Sequence, residues 1–440
     1  MAAKLQVGTA RYFMWFLLTL THVITHFHRF NINVLADQLM VEFNLSAVSL
    51  GNLAAAYSYT YLLMQIPGGL LIDRWGPRRT AFVAALFLGV GSLLFATAHS
   101  ISAIFLGRLI IGFGGSVILI NILKFQSAWF RENQFATMSG LAILIGSLGA
   151  VAATFPLAYI VALASWRIVF LVTGVAGVLI AFYSFLWVRD RPGQDGRSLQ
   201  LPGRAEAAGG ISIPAALKQV VRNRSLWVIF LVNFGFYGSF IALTGAWGVT
   251  YVMQIYNLTR QESALFMFPA ILGMMLGAPV WGIISDKMGR RKLPIILAGL
   301  FFAANWVLLL TVSGGKPPLA LLCLVVFNLG VGASMQTLTL TYAKELSPPA
   351  LTGTATAFVN IGSFSGVAAL QLLFGYVLQR GWQGLYHAGM MIYPLQSYLG
   401  AFSLCFVFVL ISFGFTLVLQ DKRPASLQPF RIEAKQQPGV

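Results

Sequence analysis

Apolar runs of about twenty residues recur along almost the whole chain. Each is long enough to cross a ~30 Å hydrocarbon layer as a helix. Such a layer forces every backbone N–H and C=O to find its partner within the protein, so only helices and closed barrels span it. A spanning strand needs about ten residues of alternating pattern, whereas these runs are longer and do not alternate. Charged residues make up 9% of the chain, against roughly 25% in soluble domains. The sequence therefore specifies an all-α polytopic membrane protein with the lipid bilayer as its solvent.

Twelve transmembrane spans are expected, at 11–36, 46–72, 80–98, 101–128, 135–163, 166–188, 225–253, 260–284, 293–313, 318–342, 352–379 and 394–419. The net charge of +17 invites a nucleic-acid reading, but its distribution opposes one. On the side holding both termini lie Lys4, Arg11, Arg74, Arg78, Arg79, Arg131, the seven basic residues from Arg189 to Arg224, Lys287, Arg290, Arg291, Lys292, Lys344 and the four in the tail. The other side has only Arg167, Arg260, Lys316 and Arg380. An excess of Lys and Arg marks cytoplasmic loops, so both termini are expected in the cytoplasm and no nucleic-acid partner is implied. Cys323 and Cys405 fall inside spans, which supports neither a disulfide framework nor a metal cluster. The first run is too long for a signal peptide, and no small-residue cleavage site follows it.

The organisation is a six-plus-six repeat. Residues 1–188 form an N-terminal six-helix bundle, 189–224 a cytoplasmic linker, 225–420 a C-terminal bundle and 421–440 a tail. Gly, Pro and charge mark the linker, and ISIPAALKQVVRN within it reads as an amphipathic surface helix carrying Lys218 and Arg222. Phe43-Asn44-Leu45-Ser46 and Tyr256-Asn257-Leu258-Thr259 stand 213 residues apart, and so do Asp73 and Asp286. Ser46 and Thr259 are expected to cap the second helix of each half, Thr259 with Glu262 in capping-box spacing. Capping explains both Asn-Leu-Ser/Thr sequons better than glycans do. Parallel repeats of six spans place a substrate site between the halves near the midplane.

These features resemble the major facilitator superfamily over essentially the whole chain. Its loop motif G-x-x-x-D-[RK]-x-G-x-R-[RK] is matched by Gly69, Asp73, Arg74, Gly76, Arg78 and Arg79, and again by Gly282, Asp286, Lys287, Gly289, Arg290 and Arg291. The resemblance implies two pseudo-symmetric six-helix bundles, with Asp73, Arg74, Arg78, Asp286, Lys287 and Arg290 in gating rather than substrate contact. Gly-Pro-Arg-Arg at 76–79, Ser165-Trp166-Arg167 and Arg189-Asp190-Arg191-Pro192 resemble the anion:cation symporter branch. Arg108 with Gly112 resembles the R-x-x-x-G motif associated with coupling. Gly146 and Gly149 lack the proline that follows in drug/proton antiporters.

One span is unusual. Residues 21–33 read THVITHFHRFNIN, and His22, His26, Arg29 and Asn33 follow i, i+4, i+7, i+11 along a helix face. A charge at bilayer depth costs at least ~2.5–3.5 kcal/mol on insertion scales, so the stripe must face water or a partner. HFHRFNINVLA resembles the Y-x-x-R-x-N-x-x-x-A pattern of anion symporters and organophosphate antiporters, which implies that Arg29 contacts an anion. On span 4, Asn121 and Lys124 are i, i+3, and Lys124 offers a second cation. No intramembrane carboxylate of this half neutralises them, since Asp37 and Glu42 lie near the outer mouth. The substrate is then expected to bring the negative charge.

Other spans supply neutral polarity. Tyr57 and Tyr61 lie i, i+4 on span 2, and span 7 carries Asn233, Tyr237, Thr244 and Tyr251 with Trp247 nearby. Asn328, Gln336, Asn360 and Gln371 add amides on spans 10 and 11. Arg29 and Lys124 have Ala242 and Thr337 as repeat partners, so phosphate exchange between paired arginines loses support. His22 and His26 are suspected proton carriers because imidazole titrates near neutrality, and Arg29 one turn away argues against a cation between them.

The expected function is secondary transport of a small organic anion, a carboxylate, by alternating access and proton-coupled symport, with no cofactor and a monomeric state. Amino acids, short peptides, a carboxylate siderophore or drug/metabolite efflux are the alternatives. An enzyme would need a catalytic set, and neither H-E-x-x-H, buried paired carboxylates nor a nucleophile–base pair is present. A bacterial inner membrane suits the short loops.

Overall fold

The computed structural model describes residues 2–191, 213–348, 351–387 and 389–420. The tail, most of the linker and the Asp73 side chain lie outside what it describes. The first bundle contains α1 (Ala2–Glu42), α2 (Ala47–Ala96, broken at Gly76), α3 (Ile101–Gly115), α4 (Ile118–Trp129), α5 (Glu132–Ala152), α6 (Phe155–Leu163) and α7 (Trp166–Trp187). A short helix, α8 (Ile213–Arg222), precedes the second bundle. That bundle contains α9 (Arg224–Ala242), a π-helical turn at Leu243–Trp247, α10 (Gly248–Tyr256), α11 (Arg260–Met288), α12 (Lys292–Thr311), α13 (Leu319–Ala333), α14 (Gln336–Glu345), α15 (Thr352–Arg380) and α16 (Leu395–Val418). A two-stranded hairpin, β1 (Tyr386–His387) and β2 (Met390–Met391), sits between α15 and α16.

Among the described residues, nine helices are long and apolar enough to cross a membrane, or ten if the bent α5–α6 pair is one span. Of the expected twelve, the two that do not meet this measure are α1 and the arm of α2 before Gly76. These are the helices that carry His22, His26, Arg29 and Asn33, and Tyr57, Tyr61 and Gln65. Their polarity lowers their hydropathy because they face the protein interior. The outside is oily instead: Leu63, Leu163, Val172 and Leu186 are 73%, 75%, 60% and 59% exposed, as a lipid solvent requires.

The repeat is built into the backbone. Asn44 and Asn257 both take the left-handed conformation, φ 49° and 55°, ending the preceding helix. Asn tolerates that region better than most residues. Ser46 then accepts the N–H of Ser49, and Thr259 with Glu262 closes a full capping box. At the other end of the next helix, Gly76 and Gly289 both turn at positive φ, 75° and 61°, where a Cβ would strain the chain.

α1 packs on α5 by close approach. A Cβ on Gly149 would come within 1.9 Å of the Val23 carbonyl, and one on Gly146 within 2.2 Å of the His22 ring. The two bundles meet where α1 and α2 pack on the π turn, α10 and α15, and where α5 and α6 pack on α11; Arg29 of α1 also reaches Tyr237 of α9. α8 buries Ala216 and Val220 and exposes Lys218 and Arg222, the amphipathic pattern expected of it.

Candidate functional site

Arg29 projects from α1 into the seam between the bundles. It lines a cavity with Ala54, Tyr57 and Ser58 of α2, Tyr237 and Ile241 of α9, and Phe364, Val367 and Gln371 of α15. The guanidinium carbon lies 5.7, 5.4 and 4.9 Å from the ring centres of Tyr57, Tyr61 and Phe364, and Nη1 donates to the Tyr237 hydroxyl at 3.5 Å. Ring faces stabilise a cation, though far less than a counter-anion does. Among the described residues no carboxylate pairs with Arg29. Arg29 Nε, the Tyr57 hydroxyl and Gln371 Oε1 are buried without hydrogen-bond partners. Leaving a buried polar atom unpaired costs about 1–3 kcal/mol, so three around one cavity mark a place prepared for a polar guest. The cavity itself measures about 10 Å³, room for roughly one water. An organic ligand requires the bundles to part.

Seals lie above and below. At the end opposite the basic loops, Arg260 clasps Asp37 across the seam with Nε 2.9 and 3.1 Å from the two carboxylate oxygens. Asn33 accepts the Val249 N–H at 3.0 Å, and Ala47 donates to Gln379 Oε1 at 3.1 Å. Towards the basic end, Tyr61 stacks on Phe364 at 3.8 Å and Asn360 donates to Gln65 at 3.1 Å. Beyond them Lys124 and Ser127 of α4, and Thr337 and Thr341 of α14, are exposed. The seam is thus closed deeply on one side of Arg29 and by a single layer on the other.

Several expected residues sit elsewhere. Lys124 does not line the Arg29 cavity; it stands on α4, past the break at Ser116–Val117, whereas Gly115 at the end of α3 abuts the Tyr57 hydroxyl. Asn121 donates to the Pro77 carbonyl at 3.1 Å and ties α4 to the break in α2. Asn233 accepts from Thr339, Gln336 donates to Ser363, and Trp247 stacks on Phe374 while donating to the Gln371 carbonyl. Arg108 is fully buried and donates to the His28 carbonyl at 2.5 Å, fastening α3 to α1. His22 fits the Gly146 notch, and His26, its ring edge-on to His22 at 4.4 Å, pairs with the His22 carbonyl at 3.2 Å.

The loop motifs hold helices together within each bundle. Asp190 accepts the Arg78 N–H at 2.8 Å, and Arg78 Nε donates to the Phe185 carbonyl at 2.6 Å. In the second bundle, Arg291 bridges Asp286 and Glu345, both at 2.8 Å. This corrects the expectation on Arg290. A 213-residue register makes Arg291 the partner of Arg78, and Arg291 is buried while Arg290, like Arg74 and Lys287, is exposed. Phe364, Ser58, Glu345 and the Asp37–Arg260 pair were not singled out by sequence, and Asp190 appeared only as part of a motif. The 213-residue register alone could have pointed to Arg291.

The family model for the Major Facilitator Superfamily matches residues 18–371. Among curated relatives, the probable sulfoacetate transporter of Cupriavidus necator is 25% identical over 89% of this chain and 92% of its own. The D-galactonate transporter of Escherichia coli is 24% identical, covering 84% and 90%. The probable galactarate/D-glucarate transporter GarP of Escherichia coli is also 24% identical, covering 84% and 88%. Among solved structures, a bacterial homologue of the human lysosomal transporter Spinster, inward-facing and unoccupied, superposes with a TM-score of 0.76 at 16% identity, covering 93% and 97%. The chain is a multi-pass membrane transporter, not an enzyme, and it belongs to the Major Facilitator Superfamily.

Proposed function

We propose that this protein carries a small organic acid across the membrane by alternating access, the acid's anionic group docking on Arg29. The observation behind this reading is a guanidinium held in the seam among Tyr57, Tyr61, Tyr237 and Phe364, with no carboxylate partner among the described residues. An incoming carboxylate supplies the missing charge and accepts from Arg29 Nε and the Tyr57 hydroxyl in one step. Relatives named for sugar acids and sulfoacetate fit that chemistry. Amino acids and peptides fit less well, because the residues lining the cavity include no carboxylate for an ammonium group.

With the basic end as the cytoplasmic one, the Tyr61–Phe364 layer is the inner and thinner of the two seals. Lys124 then acts at the cytoplasmic vestibule by attracting anions rather than by holding them. The coupled ion is a proton, and His26 is its carrier. His26 is one turn from Arg29 on α1, and an anion on Arg29 gives a proton there a counter-charge it otherwise lacks. Substrate and proton therefore favour each other's binding, the reciprocal linkage that symport requires.

The test is uptake into proteoliposomes, with galactonate and glucarate as probes, for wild type and Arg29→Gln. Uptake driven by an inward proton gradient and abolished in Arg29→Gln supports the reading. Equal transport of neutral or cationic compounds by both proteins overturns it.

A further inference from the structure

Gln371 stands out among the amides of the transmembrane helices. Asn121, Asn233, Gln336 and Asn360 each spend one end of the side chain on a protein partner: the Pro77 carbonyl, Thr339, Ser363 and Gln65. Gln371 spends neither. It is 2% exposed, its Oε1 is buried with no partner, and its carboxamide makes no hydrogen bond to any described residue. Yet its backbone is pinned from two sides. Its carbonyl accepts Trp247 Nε1 at 3.4 Å and lies 2.6 Å from where a Cβ on Gly51 would stand. A side chain so rigidly placed, so deeply buried and so unoccupied faces the cavity it shares with Arg29, Tyr57, Ser58 and Tyr237.

We propose that Gln371 is the specificity-determining residue of this cavity: its carboxamide reads a hydroxyl on the carbon next to the substrate's carboxylate, so that hydroxy acids are selected over the corresponding plain acids. The assignment rests on Arg29 binding the acid group, as argued above. A hydroxyl suits an amide whichever way the amide is turned, since it both donates and accepts. A second carboxylate or an ammonium would satisfy one orientation only. Gln371 and Arg29 line the same cavity, and Gln371 Nε2 and the Arg29 carbonyl both lie within 4 Å of the point where a Cβ on Gly245 would stand, so the group that the amide reads lies close to the acid group rather than at the far end of a long substrate. Discrimination by such a group arises because a ligand lacking the hydroxyl leaves the buried amide unpaired.

The same residue touches both bundles. Its carbonyl meets Gly51 of α2 and the ring of Trp247, the last residue of the π turn. A ligand held by the Gln371 side chain is therefore held where the two halves close on one another.

The experiment is binding to the purified full-length protein, measured by intrinsic tryptophan fluorescence. The probes are two matched pairs, gluconate with 2-deoxygluconate and 2-hydroxybutyrate with butyrate. The variants are Gln371→Leu, Gln371→Met and Arg29→Gln. Wild type is expected to bind each hydroxy acid at least about tenfold more tightly than its partner. Gln371→Leu and Gln371→Met should bring that ratio to near one while keeping the plain acid's affinity, and Arg29→Gln should lose both members of each pair. No preference in wild type overturns the proposal without recourse to any variant. A preference that survives in Gln371→Leu, or an equal loss for both acids, also overturns it and leaves the Arg29 reading standing. Retention of both acids by Arg29→Gln sinks the Arg29 reading instead.

Discussion

The clasp between Asp37 and Arg260 should set how often the seam opens on the side opposite the basic loops. Its side chains are 13% and 16% exposed, and Arg260 Nε bridges both carboxylate oxygens. Exposed pairs contribute about 0–1 kcal/mol, whereas removing one partner of a buried pair costs about 3–5 kcal/mol. A mostly buried, two-pronged pair at a mouth that hydrates on opening falls between, near ~2 kcal/mol. That is roughly a 30-fold change in population. Ser58 lines the Arg29 cavity and is buried in this state, so Ser58→Cys in a Cys323→Ser, Cys405→Ala background reports opening. An impermeant maleimide applied from outside intact cells should label this cysteine ~30-fold faster in Asp37→Asn than in the parent, in proportion to the population shift. Asp37→Arg, which sets two guanidinium groups face to face, should label faster still. Asp37→Arg combined with Arg260→Asp restores the pair across the same seam and should return labelling to near the parental rate. Labelling in Asp37→Asn within about twofold of the parent, or a double swap as fast as either single change, would refute the clasp as the outer latch.

Three further outcomes follow from particular contacts. Tyr57→Phe removes a buried hydroxyl without a protein partner, so substrate affinity should fall about tenfold, ~1.5 kcal/mol, with no loss of melting temperature. Lys124→Gln acts at a vestibule rather than in the cavity, so equilibrium affinity should stay within about twofold while uptake slows and loses its dependence on ionic strength. Gly149→Ala drives a methyl to 1.9 Å from the Val23 carbonyl. Overpacking of this kind costs about 1–3 kcal/mol, visible as a lower thermal-unfolding midpoint in detergent with the apparent affinity of the folded fraction unchanged.

What was legible in the sequence is what depends on local chemistry. Span lengths follow from the solvent, and the caps at Ser46 and Thr259 follow from side chains three residues from their targets. Arg29 was legible as a candidate because a charge in an apolar helix has few innocent explanations. The failures share a cause as well. Lys124 is a cation on the right helix, but its depth depends on a break at Ser116–Val117 that sequence does not advertise. Phe364 and Ser58 are ordinary residues on apolar helices, made part of the site by a partner helix hundreds of positions away. Asp37 and Arg260 were each placed near the outer mouth, yet nothing local pairs residues 223 apart. Arg290 was an error of register by one residue, in a loop where one residue decides which arginine turns inward.

The polar stripe of α1 makes sense once its neighbours are known. Arg29, Asn33 and Asp37 stand at i, i+4 and i+8, one face of one helix. Each meets the second bundle: Tyr237, the Val249 N–H and Arg260 in turn. The proposed anion site and the Asp37–Arg260 seal are therefore successive turns of the same surface. Admitting a substrate from outside means peeling this face away from α9, the π turn, α10 and the start of α11. That movement exposes Arg29 as it breaks the seal above it. On the proposals above, a substrate bridging Arg29 on α1 and Gln371 on α15 would replace the lost contact with its own atoms and draw the face back. An acid too simple to reach the second bundle would bind without closing the seam, which is a reason for the cavity to favour anions that carry a second hydrogen-bonding group.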